Sequence, residues 1–313
     1  MTGCAGSKDS SPPSLDMSEY RKVMERQKGE QGSSEEPASS TPEMTAEEHE
    51  RTGDMDAQRH NFPLAGVHYS KALKMDPTRN TVRLKLGKIF LQQGMFEPAL
   101  TQFQDLRTRE PNSAQAHQGI GHVYLLQGKL REAEAALTKA IALNPSSWLS
   151  HNLLGLVHDQ EQRHAEAIEA YKAALAIYPH EPGVLNNLGL AYALSGDHDA
   201  AIQAYEQAAA AGSASPKLHN NLGVAYAHRQ RYAAALESFR KATDEPRAYN
   251  NLGTVLFGMG NPKQAAACFE RAIELNPQFY EKAVENLRQA RLALRNTANG
   301  TSASGSTDRV ACP

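Results

Sequence analysis

Small and large apolar residues recur at fixed positions along most of the chain, with a period close to 34 residues. In residues 114–147, Ile120 and Tyr124 share a face of one predicted helix, and Ala133 and Leu137 share a face of a second. Each period therefore predicts a hairpin of two amphipathic helices. A repeat of this length indicates a solenoid of helical hairpins.

The pattern divides the chain into consecutive segments. Six segments carry it, the fifth with a shortened second helix: 80–113, 114–147, 148–181, 182–215, 216–245 and 246–279. Residues 46–79 match only in their second half, because Thr52, Gly53 and Asp56 stand where apolar residues are expected. We therefore expect a degenerate hairpin or an N-terminal cap there. Residues 280–295 predict a capping helix with a polar outer side.

Both ends of the chain lack apolar periodicity. Residues 1–45 are rich in Ser, Pro, Glu, Lys and Gly, and residues 296–313 are rich in Ser, Thr, Gly and Asn. Such segments bury too little apolar surface to offset the entropy lost on ordering. The sequence therefore predicts a disordered leader and a disordered tail.

The set of recurring positions resembles the tetratricopeptide repeat, a 34-residue helix–turn–helix unit. In residues 80–113, for example, it comprises Leu86, Gly87, Phe90, Gly94, Ala99, Phe103 and Pro111. The resemblance implies an all-α fold, a right-handed superhelical solenoid of antiparallel helix hairpins that ends in a capping helix. It also implies that the first helix of each hairpin lines a concave groove for a protein or peptide partner.

A four-residue string occurs in three successive hairpins: Asn186-Asn187-Leu188-Gly189, Asn220-Asn221-Leu222-Gly223 and Asn250-Asn251-Leu252-Gly253. In related arrays the second asparagine faces the groove. A carboxamide both donates and accepts hydrogen bonds, so Asn187, Asn221 and Asn251 are predicted to bind the backbone of an extended partner segment. The preceding positions would widen this site: Asn152, Asn186, Asn220 and Asn250. The alternative is that these asparagines only satisfy the backbones of neighbouring hairpins.

The remaining composition argues against most other functions. Net charge is −2 and basic residues are dispersed, so no nucleic-acid surface is expected. The twelve histidines form no HExxH motif or His/Cys cluster, and no phosphate loop or nucleophile motif occurs. We therefore expect no enzyme activity, cofactor or metal. Cys268 lies in an apolar helical stretch and is predicted to be a small buried side chain.

The first residues suggest a membrane attachment. Met1-Thr2-Gly3-Cys4 resembles the end of a bacterial lipobox, which implies lipidation at Cys4 and a location in the bacterial cell envelope. The hydrophobic signal that should precede a lipobox is missing, so a late start codon would have to be assumed. Without it, the alternative is a soluble cytoplasmic scaffold or regulatory subunit.

Several stretches resemble the TadD-type lipoprotein of the tight-adherence (Flp) pilus system, namely Arg163–Ala167, Val184–Gly196 and Ala214–Lys217. This resemblance implies a lipid-anchored adaptor in pilus or secretion machinery. A secretin or other pilus component would be its partner.

Overall fold

The computed structural model of the chain describes residues 44–276, 281–300 and 311–313. These residues contain fifteen α-helices and no β-strand, which confirms the predicted all-α fold of helical hairpins. The predicted leader 1–45 and Cys4 lie almost entirely outside the described residues. The chain divides into two compact units at Pro145 and Ser146.

The first unit contains three hairpins. Their helices are α1 (Ala46–Gln58), α2 (Phe62–Met75), α3 (Asn80–Gln92), α4 (Phe96–Arg109), α5 (Ala114–Leu126) and α6 (Leu130–Leu143). The second unit contains four hairpins and a final helix. Its helices are α7 (Trp148–Gln160), α8 (His164–Ile177), α9 (Pro182–Leu194), α10 (His198–Ala210), α11 (Pro216–His228), α12 (Tyr232–Ala242), α13 (Glu245–Gly258), α14 (Pro262–Leu275) and α15 (Glu281–Gly300).

One glycine in the first helix of each hairpin packs on a large side chain of the second helix. At Gly155 an added Cβ would lie 2.4 Å from Cε1 of Tyr171. The same contact occurs in all seven hairpins: Gly53 with Tyr69, Gly87 with Phe103, Gly121 with Leu137, Gly155 with Tyr171, Gly189 with Tyr205, Gly223 with Phe239 and Gly253 with Phe269. These large side chains are at most 2 % exposed, so the crossing point of the two helices forms the core of each hairpin.

The first hairpin is complete, although its first half lacked the apolar pattern. Gly53 lies against Tyr69, and the Tyr69 hydroxyl donates to Asp54 Oδ1 at 2.7 Å. Lys85 of α3 bridges Asp54 and Glu50 of α1, with 2.8 Å to each carboxylate. Polar contacts thus hold α1 where apolar contacts hold the other first helices.

The last helix is longer than predicted, and a residue that follows it is cross-linked to α14. Helix α15 runs to Gly300 instead of ending near residue 295. Its buried residues are Ala283, Leu287 and Ala290. Cys268 of α14 is fully buried, as predicted, but it forms a disulfide with Cys312 and is not a free thiol. This pair could not be predicted from sequence, because no short motif joins two cysteines that lie 44 positions apart.

Candidate peptide-binding surface

All seven predicted site asparagines lie on first helices of the second unit: Asn152 on α7, Asn186 and Asn187 on α9, Asn220 and Asn221 on α11, and Asn250 and Asn251 on α13. Six of them are half-buried, whereas Asn250 is only 3 % exposed. The recurrence of the string at the same helical position explains this alignment, since equivalent residues of stacked repeats face the same way.

The asparagines bond to one another between successive first helices. Asn187 Nδ2 donates to Asn152 Oδ1 at 3.2 Å, and Asn251 Nδ2 donates to Asn220 Oδ1 at 3.2 Å. In both pairs, here called amide rungs, the second asparagine of one helix donates to the first asparagine of the preceding first helix. The partners of these side chains are thus other side chains and not the hairpin backbones that the alternative reading proposed.

A third amide rung ties down the last helix. Asn286 Nδ2 of α15 donates to the buried Asn250 Oδ1 at 2.9 Å. Asn286 was absent from the predicted site, although the pair Asn286-Leu287 repeats the Asn-Leu step of Asn251-Leu252. Because Asn250 is buried, this rung serves the packing of α15 and offers little surface to a partner.

The fourth equivalent pair is open. By position, Asn221 Nδ2 of α11 should donate to Asn186 Oδ1 of α9. Both atoms are instead buried, and Asn186 Oδ1 has no hydrogen-bond partner. The Asn221 side chain lies beside the hydroxyl of Tyr205, which is fully buried on α10. Burial raises the pKa of Tyr205, and a hydrogen bond with the Asn221 side chain opposes part of that rise.

Apolar side chains adjoin the rungs. Leu156, Leu190 and Val224 occupy one equivalent position on α7, α9 and α11 and are half-buried. Leu194 is 55 % exposed and Phe257 of α13 is 37 % exposed. The first helices of the second unit thus combine neutral amides with exposed apolar surface.

Two pairs of histidines lie close together among the described residues. His198 of α10 and His228 of α11 stack with ring centroids 4.2 Å apart, and His49 Nδ1 lies 3.0 Å from His68 Nδ1 in the first unit. Burial is the main cause of the lowered pKa of His198, and the neighbouring His228 lowers this pKa further. Within the described ranges, no group of three or more His, Cys, Asp or Glu side chains could hold a metal ion. The described helices also include none that is long and apolar enough to cross a bilayer.

These features define a class of protein: an array of helical hairpins, each closed by a glycine that packs on a large side chain. The family model of the cilia and flagella-associated protein 70 C-terminal domain matches residues 10–247. This match covers more than half of the chain, which therefore belongs to this family of tetratricopeptide-repeat domains. A separate tetratricopeptide-repeat model matches residues 246–279, the segment that holds α13 and α14.

Solved structures share the fold. A tetratricopeptide repeat protein from Parabacteroides merdae has a TM-score of 0.53 at 16 % identity, over 79 % of this chain and 98 % of its own. PilF of Pseudomonas aeruginosa has a TM-score of 0.53 at 19 % identity, over 68 % and 96 % of the two chains. MamA is 31 % identical over 51 % of this chain and 93 % of its own, with a TM-score of 0.45. Comparison with curated protein sequences gives no significant match. The structures from Parabacteroides merdae and Pseudomonas aeruginosa thus share the tetratricopeptide-repeat solenoid fold of this chain.

Proposed function

We propose that the chain is a non-enzymatic scaffold that binds an extended segment of a partner protein along the amide rungs of the second unit. The observation that carries this proposal is the hydrogen-bonding capacity that the asparagines of each rung do not use for each other. When Asn187 donates to Asn152, the Asn187 Oδ1 and the Asn152 Nδ2 keep unused hydrogen-bonding capacity. A peptide group offers one N–H and one C=O, which is the complement of that pair.

The side chains beside the rungs favour a particular kind of segment. Leu156, Leu190 and Val224 give half-buried apolar contacts, and Leu194 and Phe257 are exposed. Burial of apolar surface contributes roughly 25 cal/mol per Å². A partner with uncharged, apolar side chains in an extended conformation would fit both the amides and this surface.

The scaffold is proposed to be lipid-anchored through Cys4 in a bacterial cell envelope. The disulfide between Cys268 and Cys312 supports an oxidising compartment, since such bonds are rare in the cytosol. Cys4 is then the one cysteine of three that remains for lipidation. The resemblance to the TadD-type lipoprotein suggests a role in pilus or secretion-machinery assembly, with a secretin or other pilus component as the partner.

A soluble cytoplasmic scaffold or regulatory subunit is the alternative. In a reducing cytosol, Cys268 and Cys312 would be thiols.

The compartment is tested by labelling cells with a fatty acid and comparing the native chain with Cys4→Ser. Label that disappears in Cys4→Ser, together with one disulfide per chain by mass spectrometry, would support the anchored scaffold. Unlabelled protein in the soluble fraction with three free thiols would establish the cytoplasmic alternative. A Cys312→Ser variant is the matched control, because it removes a cysteine without touching the proposed lipidation site.

The binding surface is tested with twelve-residue peptides selected by display on the purified chain. Amide hydrogen exchange of the complex should show protection on α9, α11 and α13. Exchange protection confined to the second helices α10, α12 and α14 would reject the proposed surface.

A further inference from the structure

Two histidines face each other where the first two helices of the first unit pack together. His49 of α1 and His68 of α2 place their Nδ1 atoms 3.0 Å apart, with ring centroids 5.2 Å apart. Both residues are half-buried. Two ring nitrogens at this distance form a hydrogen bond only if one carries a proton and the other does not. The contact therefore depends on the protonation of both rings.

His68 lies between two groups of α1. Its Nδ1 atom meets His49, and its Nε2 atom faces Asp56 Oδ2 at 4.0 Å. Asp56 is only 8 % exposed, and its Oδ2 atom is buried without a hydrogen-bond partner. A carboxylate favours a proton on the ring nitrogen that faces it, which assigns the proton of neutral His68 to Nε2. The lone pair of His68 then lies at Nδ1, so His49 is the donor of the contact.

This contact accommodates one additional proton but not two. When one ring is charged, its Nδ1–H still donates to the lone pair of the other ring. When both rings are charged, both Nδ1 atoms carry a hydrogen and neither can accept. Two like charges then face each other across the helix pair, which destabilises the contact further.

The surroundings of the two histidines oppose their protonation. Burial is the main cause of the lowered pKa of each ring, and Lys71 of α2 lowers both pKa values further. The charge of His49 also lowers the pKa of His68. Two acidic groups of α1 act in the opposite direction, Glu48 on His49 and Asp56 on His68, but the lowering causes prevail.

Helix α3 packs on α2 and contributes two cations that reach α1. Arg79 bonds to Glu50 at 2.6 Å, and Lys85 bonds to Glu50 and Asp54 at 2.8 Å each. These ion pairs contain no histidine. The only contacts of α1 described here that change with histidine protonation are therefore those of His49 and His68.

We propose that His49 and His68 form a proton-operated latch, which holds α1 against α2 at neutral pH and releases it in mild acid. Release would uncover Tyr69 of α2, which is 2 % exposed and packs under Gly53 of α1. Acid would thus change the surface that the first hairpin presents. The inference is independent of the proposed function, because the proposed partner site lies on the second unit.

The direction of the pH dependence follows from the lowered pKa values. The folded first hairpin binds fewer protons than the released form, in which both rings are hydrated. The stability that the latch provides is fully present above the pKa of a hydrated histidine, about 6.5. It is lost as the pH falls towards the lower pKa values of the packed rings.

Amide hydrogen exchange of the full chain at pH 7.5 and pH 5.0 tests the latch, after correction for the intrinsic pH dependence of exchange. Helix α4 contains no histidine and is the internal reference. We expect the opening constant of α1 to rise about tenfold relative to α4. Each pH unit over which the open form holds one more proton changes the opening equilibrium by that factor.

His49→Asn is the decisive variant, because the carboxamide can donate to neutral His68 and accept from charged His68. The contact then survives in both states, and the acid response of α1 should fall below about threefold. His60→Asn is the matched control, since His60 lies exposed in the turn of the same hairpin, where φ is 59° and asparagine is tolerated. It should keep the full tenfold response. An acid response of α1 that is equal in the native chain and in His49→Asn would overturn the latch.

Imidazole ¹⁵N NMR of the native chain gives a second readout that does not depend on a variant. Charging of the second ring of the pair should coincide with the loss of α1 protection. If both rings became charged while α1 stayed protected, the pair would not be a latch, and the proposed partner site of the second unit would be unaffected by that result.

Discussion

Cys268 on α14 and Cys312 near the C-terminus are joined by a disulfide, with 4.7 Å between their Cα atoms. The bond spans 44 positions and encloses the whole of α15. The cross-link therefore ties the chain that follows α15 back to α14. It acts together with Asn286, which bonds to Asn250 of α13.

We expect Cys312→Ser to destabilise the second unit by about 2–4 kcal/mol, because a cross-link of this loop length restricts the unfolded chain. Denaturant unfolding of the oxidised protein measures the change. Cys4→Ser serves as the control and should leave the midpoint unchanged. An oxidised protein whose stability does not respond to dithiothreitol would contradict the cross-link.

The turns of the hairpins contain a second testable feature. The residue two positions after each first helix has positive φ, and it is glycine in four hairpins but His60, Gln162 and Gln230 in the others. Gln162 has φ 61° and Gln230 has φ 58°, a region that costs a residue with a Cβ roughly 1–2 kcal/mol.

Gln162→Gly and Gln230→Gly should therefore each stabilise the second unit by roughly 0.5–1 kcal/mol, after the entropy gained by the unfolded chain is subtracted. Chemical denaturation provides the measurement. Gln160→Gly, two residues earlier at the last position of α7, is the matched control and should be slightly destabilising. Destabilisation by all three substitutions would mean that the turns carry no strain.

The fold could be predicted because its determinants are local and periodic. Gly121 with Leu137, and their equivalents, define each crossing by sequence spacing alone. The first hairpin was underrated because polar bonds replace its apolar pattern, such as that of the Tyr69 hydroxyl to Asp54 Oδ1 at 2.7 Å. Its packing pair, Gly53 and Tyr69, was present in the sequence all along.

The candidate site could be predicted only in part. The asparagine strings located the residues, but their lateral pairing depends on the distance between successive first helices, which a single sequence does not encode. The open pair of Asn186 and Asn221 differs from its neighbours in partners and not in residue type. The bond between Cys268 and Cys312 likewise depends on the path of the chain after α15.

The glycines at the hairpin crossings should tolerate no side chain. In Gly155→Ala the new Cβ would lie 2.4 Å from Tyr171, whose ring is fully buried and cannot move without displacing neighbours. We expect a loss of about 2–3 kcal/mol in the free energy of unfolding. Gly258→Ala at the end of α13 is the control, since nothing lies within 4 Å of an added Cβ there. It should be neutral or slightly stabilising, and equal losses in both variants would reject the packing argument.

The stacked histidines should make the second unit sensitive to mild acid. Burial, then the neighbouring His228 and Arg229, lower the pKa of His198, while Asp197 and Asp199 act in the opposite direction. A histidine with a lowered pKa binds fewer protons in the folded state than in the unfolded state. The contribution of His198 to stability is therefore fully present above its pKa in the unfolded state, about 6.5. It is lost as the pH falls towards the lower pKa that His198 has in the folded state.

The wild type should thus be less stable at pH 5 than at pH 7.5, and His198→Gln should lose less over the same interval. Denaturant unfolding at both pH values measures the difference. Burial also lowers the pKa of His219 on α11, so His198→Gln should keep part of the dependence, whereas the double variant His198→Gln/His219→Gln should keep less. If His198→Gln retained the entire acid sensitivity of the wild type, the stacked pair would not be its source. His180→Gln, which alters an exposed histidine in the turn after α8, is the matched control and should follow the wild type at both pH values.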